Sequence, residues 1–119
     1  MDISGKNFLV TGGAGFIGSH LVDMLLKEDV AKVCVLDNFI RGSIHNLNQV
    51  INDERVEIFE LKPELANLSS VDKATKDVDG VFHLASLCLP HCQEYPRSAL
   101  DVNIVGTFNL LDACVKNNV

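Results

Sequence analysis

The sequence predicts an α/β protein with a Rossmann-like, doubly wound parallel sheet, and three observations support this prediction. Short, almost wholly apolar segments recur along the chain, as in parallel strands covered on both faces. Segments with helical spacing of apolar residues separate them. A glycine-rich turn at residues 11–18 joins the first strand to the first helix. With right-handed crossovers, about four strands take the spatial order 3-2-1-4, with a ligand at their carboxyl ends.

The first predicted strand covers residues 6–10, and a helix follows the glycine turn as far as about residue 28. Helical spacing predicts a buried face on that helix. Its members are Phe16, Ile17, Leu21, Met24 and Leu25.

The second predicted strand, residues 32–36, is nearly all apolar and ends at Asp37. A loop over residues 38–43 and a short helical turn over 44–51 lead to a third strand at 55–61.

A second helix is predicted over residues 67–76 and a fourth strand over 78–84. A polar loop then leads to a long helix from residue 98 to about 116. Gly106, within this helix, indicates close backbone packing because glycine otherwise weakens a helix. The residues of this helix expected to face the sheet are Val102, Val105, Leu110 and Ala113.

The composition limits the class of protein. A chain of 119 residues, 47% of them hydrophobic, can bury the core of one modest domain. Its net charge of -6 and the lack of a basic stripe argue against a nucleic-acid partner. No apolar run approaches membrane-spanning length, and no basic region precedes a cleavable signal. The expectation is therefore a cytoplasmic protein without a membrane partner.

The glycine turn carries the clearest functional signal. Gly13, Gly15 and Gly18 have the spacing of the general dinucleotide-binding pattern. Gly12, Gly15 and Gly18 fit a wider spacing of the same kind. Such glycines allow a sharp turn, close approach of backbone N–H groups to phosphate, and tight packing of helix on strand. A pyrophosphate would lie at the positive end of the helix dipole. A plain glycine-rich turn is the alternative.

Asp37 lies 19 residues beyond Gly18, about where the dinucleotide fold places an acid that accepts the adenosine ribose hydroxyls. Such a carboxylate repels a 2′-phosphate, so NAD is favoured over NADP. Arg41 weakens that preference, because a nearby guanidinium could pair with the phosphate. Asp37 could also be an ordinary turn aspartate.

The segment from Thr11 to Leu21 reads TGGAGFIGSHL and resembles the signature of the extended short-chain dehydrogenase/reductases, specifically the nucleotide-sugar epimerase/dehydratase group. Three further segments, residues 37–39, 81–85 and 103–111, follow in that family's order and rough spacing. The resemblance covers essentially the whole chain but only the first part of the family's usual length.

This resemblance implies NAD as cofactor and a nucleotide sugar as substrate of the whole protein. In the family, residues 85–88 pass beside the ribose and nicotinamide, and Asn103 supports that loop. Asn103 could instead be an ordinary helix-surface residue, and His83 is expected to be a packed strand residue. The motifs and the resemblance together give these cofactor-binding residues: Gly12, Gly15, Phe16, Ile17, Gly18, Asp37, Asn38, Arg41, Gly42, Ser43, Leu84, Ala85, Ser86 and Asn103.

Two departures from the family pattern matter. The family's catalytic tyrosine, followed four residues later by lysine, is absent: Tyr95 is the only tyrosine and Ala99 stands where the lysine would be. Residues 1–119 are therefore expected to be an NAD(P)-binding domain truncated before that pair and the substrate domain, with no catalytic residue and no activity alone. Lys62 stands where the family usually has an adenine-contacting aspartate.

Three functions remain open. The first is the NAD-binding portion of a nucleotide-sugar epimerase or dehydratase that uses transient hydride transfer. The second is a non-catalytic dinucleotide-binding sensor or interaction module. The third, a metal site at Cys88, His91 and Cys92, fits no ordinary zinc spacing, so no metal is predicted. An unpaired fourth-strand edge and an uncovered last helix predict self-association.

Overall fold

The computed structural model describes residues 2–60 and 68–119. Within them, four strands form one parallel sheet in the order β3-β2-β1-β4, which confirms the predicted fold and strand order. The central strand β1 pairs through Leu9 with Cys34 of β2 and Val81 of β4. The strands are β1 (Asn7–Thr11), β2 (Lys32–Asp37), β3 (Val56–Glu60) and β4 (Gly80–His83).

Helical segments connect the strands. They are α1 (Phe16–Lys27), a 3-10 turn (Ile44–Leu47), α2 (Leu68–Ala74), α3 (Leu89–Glu94), α4 (Pro96–Ala99), a π-helical segment (Leu100–Gly106) and α5 (Thr107–Asn117). None of the helices within the described ranges is long and apolar enough to cross a membrane.

The core lies on both faces of the sheet because alternate strand residues point to opposite sides. On one face, Phe8 and Val10 pack with Val22 and Leu25 of α1. On the other face, Leu9 heads a cluster formed with α2 and α5: Cys34, Leu36, Val71, Ala74, Leu110 and Ala113. The central strands β1 and β2 are buried along almost their whole length because helices cover both faces, whereas the edge strand β3 is only partly buried and contains Glu57 and Glu60.

The predicted buried face of α1 is wrong in part. Phe16, Ile17 and Met24 are 81%, 71% and 63% exposed. Leu25 is buried as predicted, and the other buried residues of α1 are Gly18, Ser19 and Val22. Because Gly18 has no side chain and Ser19 has a small one, the start of α1 lies directly against the glycine turn, and this contact turns Gly18 and Ser19 inward.

The predicted polar loop before the long helix is also wrong, because it contains α3. Pro90 lies in the first turn of α3, where a proline is compatible with helix formation because no backbone N–H is needed there. A second proline, Pro96, begins α4, so the long helix starts two residues earlier than predicted.

Within that helix, Leu110 and Ala113 are buried as predicted, but Val105 is 40% exposed. The π-helical segment explains the difference, since its wider turn changes which residues face the sheet. The close packing expected at Gly106 is wrong for the described part of the chain. There, the nearest neighbour of an added Cβ is Asp101 O at 3.4 Å, an ordinary contact.

Three details of the sequence prediction lie outside the described residues. They are the end of the third strand at residue 61, the start of the second helix at residue 67, and Lys62 in the position of the adenine-contacting aspartate.

Candidate functional site

A cleft of about 300 Å³ lies at the carboxyl ends of β1, β2 and β4. The chain passes from β1 to β2 and β3 on one side and later to β4 on the other side. Parallel α/β sheets bind ligands at the carboxyl ends of the strands where the order changes direction in this way. Ten of the predicted cofactor-binding residues line it: Gly12, Gly15, Phe16, Asp37, Asn38, Arg41, Gly42, Leu84, Ala85 and Ser86. Nine further lining residues are not among the predicted cofactor-binding residues: Thr11, Leu36, Ile40, Val71, His83, Leu87, Val102, Gly106 and Leu110.

Four predicted residues do not line the cleft: Ile17, Gly18, Ser43 and Asn103. Ile17 is 71% exposed on α1. Gly18 lies beneath the glycine turn, where an added Cβ would be 2.2 Å from Gly12 O. Ser43 accepts a hydrogen bond from the backbone N–H of His45 and so caps the 3-10 turn.

The glycine turn is held closely against both neighbouring strands. Gly12 has a left-handed φ of +70°, and its N–H donates to Leu36 O over 2.8 Å. A Cβ at Gly12 would lie 2.8 Å from Ala85 N, so only glycine allows the turn and the loop after β4 to approach this closely. The turn therefore presents backbone, with no side chain, to the cleft.

The beginning of α1 suits an anion. Its N-cap residue, Gly15, has no side chain to accept from the first N–H groups, and the first turn contains no acidic residue. Such N–H groups and the positive end of the helix dipole attract a phosphate. The open glycine cradle and this helix start fit the pyrophosphate of a dinucleotide.

Asp37 is 7% exposed at the end of β2 and connects two loops. Its Oδ2 accepts from Ala14 N over 2.9 Å, and its Oδ1 accepts from Phe39 N, also over 2.9 Å. Each carboxylate oxygen can accept more than one hydrogen bond. Asp37 therefore fixes the turn and retains acceptor capacity toward the cleft, which suits a pair of ribose hydroxyls.

Asn103 positions the opposite wall of the cleft. Its Oδ1 accepts from Leu87 N over 2.8 Å, and its Nδ2 donates to Leu87 O over 3.1 Å. The amide thus pairs with both backbone groups of one loop residue. Asn103 is a positioning residue for the loop after β4 and is not an ordinary helix-surface asparagine.

His83 lies at the end of β4, between two threonines. Thr11 Oγ1 accepts from the backbone N–H groups of Leu84 and Ala85, so its hydroxyl donates to His83 Nδ1 over 2.6 Å. Thr107 donates to Asn103 O over 2.8 Å and accepts from His83 Nε2 over 3.0 Å. This network assigns the neutral tautomer with the proton on Nε2. Partial burial lowers the pKa of His83.

We expect the His83 network to make stability depend on pH. Because the folded-state pKa is lowered, unfolded chains bind the proton more readily below the ordinary histidine pKa of about 6.5. Stability from this site is complete above that pH and falls as the pH drops through the folded-state value. Urea unfolding between pH 5 and 8 measures this.

A His83→Gln variant should lose that component of the pH dependence, whereas His45→Gln, at an exposed position in the 3-10 turn, should retain it. Equal pH profiles for wild type and His83→Gln would contradict the lowered pKa of His83.

The side chains of Cys88, His91 and Cys92 do not converge on one point. Arg41 Nη1 donates to Cys88 Sγ, and Cys92 Sγ donates to Leu87 O over 3.3 Å. The His91 ring packs on Tyr95 with 5.0 Å between centroids. In the described part of the chain, no group of three His, Cys, Asp or Glu side chains could hold a metal ion.

The sheet order, the glycine turn and the cleft define a Rossmann-type α/β protein with its candidate site at the carboxyl edge of the sheet. The sequence model of the 3-beta hydroxysteroid dehydrogenase/isomerase family matches residues 9–119. The chain belongs to this family, within the extended short-chain dehydrogenase/reductases.

Curated relatives include enzymes that act on nucleotide sugars. UDP-glucuronic acid decarboxylase 6 of Arabidopsis thaliana is 38% identical over 91% of this chain and 30% of its own length. UDP-glucose 4-epimerase of Rickettsia bellii is 34% identical over 96% of this chain and 34% of its own length. The chain thus spans about a third of the length of these relatives. The sequence resemblance pointed to epimerases and dehydratases, and the relatives also include decarboxylases.

Solved structures agree with the fold. UDP-N-acetylglucosamine 4-epimerase from Methanobrevibacter ruminantium M1 superposes with a TM-score of 0.84 at 41% identity, covering 98% of this chain and 36% of that one. The dTDP-glucose 4,6-dehydratase DesIV from Streptomyces venezuelae, solved with NAD bound, gives 0.85 at 30% identity, covering 95% and 37%.

Proposed function

We propose that residues 1–119 are the N-terminal, NAD-binding domain of an enzyme that acts on a nucleotide sugar, and that the chain precedes the catalytic pair and substrate domain. The observation that carries the proposal is the placement of the glycine turn and Asp37 on one cleft. Relatives named as nucleotide-sugar epimerases, decarboxylases and dehydratases support it. The family name mentions steroids, but these relatives favour a sugar-nucleotide substrate.

The proposed roles follow the geometry of the cleft. The backbone of the glycine turn and of the first residues of α1, Phe16 and Ile17, binds the pyrophosphate. Asp37 accepts the adenosine ribose hydroxyls and disfavours a 2′-phosphate, so NAD binds better than NADP. The loop containing residues 84–86, held by Asn103, lies beside the nicotinamide ribose.

NAD supplies the hydride acceptor in the proposed reaction. This chain binds and orients it, and the closely packed glycine turn holds the pyrophosphate in place. A tyrosine–lysine pair is the family's usual group for moving the substrate proton, and it is absent from these residues. We therefore propose that the chain alone has no epimerase, decarboxylase or dehydratase activity.

The alternative is a non-catalytic dinucleotide-binding sensor or interaction module, which would use the same cleft without a tyrosine–lysine pair. A hydride-transfer assay on the natural full-length protein separates the two functions. UDP-glucose, UDP-glucuronic acid, UDP-N-acetylglucosamine and dTDP-glucose are the substrates to test, with products identified by mass spectrometry and NMR. Turnover of any one supports the enzyme. NAD binding without turnover of any of them supports the module.

We also propose that the chain self-associates through the last helix. Five exposed apolar side chains form a stripe along it: Leu100, Ile104, Phe108, Leu111 and Val115. Leu100 and Val115 lie equally far along the sequence from the midpoint of the stripe, as do Ile104 and Leu111. Phe108 lies next to this midpoint. An antiparallel pair of helices related by a two-fold axis would therefore match each apolar residue with a counterpart.

Light scattering at increasing concentration should show the chain above monomer mass, and Phe108→Lys should return it toward monomer. Phe108 is 67% exposed, so the lysine should leave folding intact. Met24→Lys changes a residue that is 63% exposed on α1 and should not alter the mass. A wild-type chain that stays monomeric at high concentration would rule out this association.

A further inference from the structure

The side chain of Arg41 crosses the mouth of the cleft. Arg41 lies on the loop after β2, and its Nη1 donates to the sulfur of Cys88 on the loop after β4. The strands β2 and β4 flank β1 on opposite sides. The guanidinium therefore connects the two walls between which a ligand of the cleft would lie.

The backbone beside Arg41 is fixed against the glycine turn. Ala14 O, within that turn, accepts from Ser43 N over 3.0 Å and from Asn46 Nδ2 over 2.8 Å. A Cβ at Gly42 would lie 2.9 Å from Ala14 C, so the residue after Arg41 is in close backbone contact with the turn. The base of the Arg41 side chain is thus held next to the proposed pyrophosphate position.

Arg41 is also the one arginine or lysine among the described residues that line the cleft, and Asp37 is the one carboxylate there. Asp37 accepts from two backbone N–H groups, and Arg41 donates to a sulfur. Across the described ranges, these two side chains form no ion pair with each other. The Arg41 guanidinium is therefore directed across the cleft toward Cys88.

The chemistry of the two possible acceptors decides what Arg41 does when a phosphate is present. A cysteine sulfur is a weak hydrogen-bond acceptor, whereas guanidinium and phosphate form strong, often paired, charge-assisted hydrogen bonds. Building on the proposed dinucleotide site, we propose that Arg41 binds the pyrophosphate of the cofactor and exchanges the Cys88 sulfur for a phosphate oxygen. Arg41 then increases the affinity for NAD, whereas Asp37 selects against a 2′-phosphate.

Isothermal titration of the chain with NAD⁺, NADP⁺, ADP-ribose and adenosine tests this proposal. Arg41→Gln should lower the affinity for NAD⁺ and for ADP-ribose by about tenfold or more, because it removes a charge-assisted contact to phosphate. Adenosine, which has no phosphate, should bind both proteins equally. Raising the salt concentration should weaken NAD⁺ binding less in the variant than in wild type, because one charge contact is missing.

Two matched variants control the experiment. Arg97→Gln removes an arginine that pairs with Asp101 outside the cleft and should leave every affinity unchanged. Cys88→Ala removes only the competing acceptor, so NAD⁺ should bind as tightly as in wild type or more tightly.

An Arg41→Gln variant with wild-type affinity for NAD⁺ would overturn the proposal, and so would a loss confined to NADP⁺, which would place Arg41 at a 2′-phosphate. If Cys88→Ala weakens NAD⁺ as much as Arg41→Gln does, the exchange of acceptors is wrong. Failure of the wild-type chain to bind any of the four compounds would instead reject the dinucleotide site itself, and the inference with it.

Discussion

Replacing Gly18 by alanine is expected to abolish stable folding of the chain. The added Cβ would lie 2.2 Å from Gly12 O and 2.7 Å from Gly13 Cα, far inside van der Waals contact. Both neighbours are backbone atoms of the turn, so no side-chain rotation relieves the clash. We expect a loss of more than about 3 kcal/mol, at or beyond the upper range for overpacking, because α1 must move off the sheet. Urea unfolding followed by circular dichroism measures it.

Gly106→Ala is the matched control. The closest described atom to its added Cβ is 3.4 Å away, and Gly106 lies in a helical segment. The substitution should therefore stabilise the chain by about 0.5–1 kcal/mol through helix propensity. Equal effects of the two substitutions, or a Gly18→Ala chain as stable as wild type, would contradict the proposed role of the glycine turn in packing.

Replacing Asp37 by alanine is expected to weaken both stability and cofactor binding. The N–H groups of Ala14 and Phe39 lose their acceptor, and the Ala14 contact is buried. Leaving such groups unpaired costs about 1–3 kcal/mol. If Asp37 also accepts two ribose hydroxyls, NAD⁺ affinity should fall by about 100-fold, since two hydrogen bonds to a charged group are lost. Thermal unfolding and calorimetric titration measure the two effects separately.

Asp37→Asn and Asp112→Asn refine this test. Asp37→Asn keeps the shape of the side chain but removes its charge. The affinity for NAD⁺ should therefore fall, and the ratio of NAD⁺ to NADP⁺ affinity should decrease. Asp112 is an exposed carboxylate on α5, outside the cleft, and its substitution should change neither stability nor affinity. Unchanged NAD⁺ affinity in Asp37→Asn would assign Asp37 to the turn alone.

The sheet was predictable from the sequence because its signals are local. Strands β1, β2 and β4 are short, mainly apolar runs, and the spacing of Gly12, Gly15 and Gly18 predicts the turn between the first strand and the first helix. The helix faces were less predictable. The sequence places Phe16 and Met24 at core spacing, but backbone contact at Gly18 rotates them outward. The π-helical segment likewise exposes Val105, and no apolar periodicity reveals such a turn in advance.

The candidate site was predicted in its backbone framework and only partly in its side-chain contacts. Glycine spacing predicts the turn, and the position of Asp37 at the end of the second strand predicts the proposed ribose position. The pairing of Asn103 with Leu87 joins residues 16 positions apart, and that of Arg41 with Cys88 joins residues 47 apart. These contacts depend on how the loops after β2 and β4 meet above β1. Leu87 could have been added because it lies within residues 85–88, the loop that the family resemblance places beside the cofactor.

Amide hydrogen exchange of the chain with and without NAD⁺ most directly tests the proposal that this cleft is a dinucleotide site. We predict slower exchange in residues 12–17, where the pyrophosphate meets backbone N–H groups, and in residues 37–43 beside the ribose. The groove between α2 and α5, around Asp72 and Lys116, should not change. No protection at saturating NAD⁺, or protection confined to that groove, would contradict the proposed site.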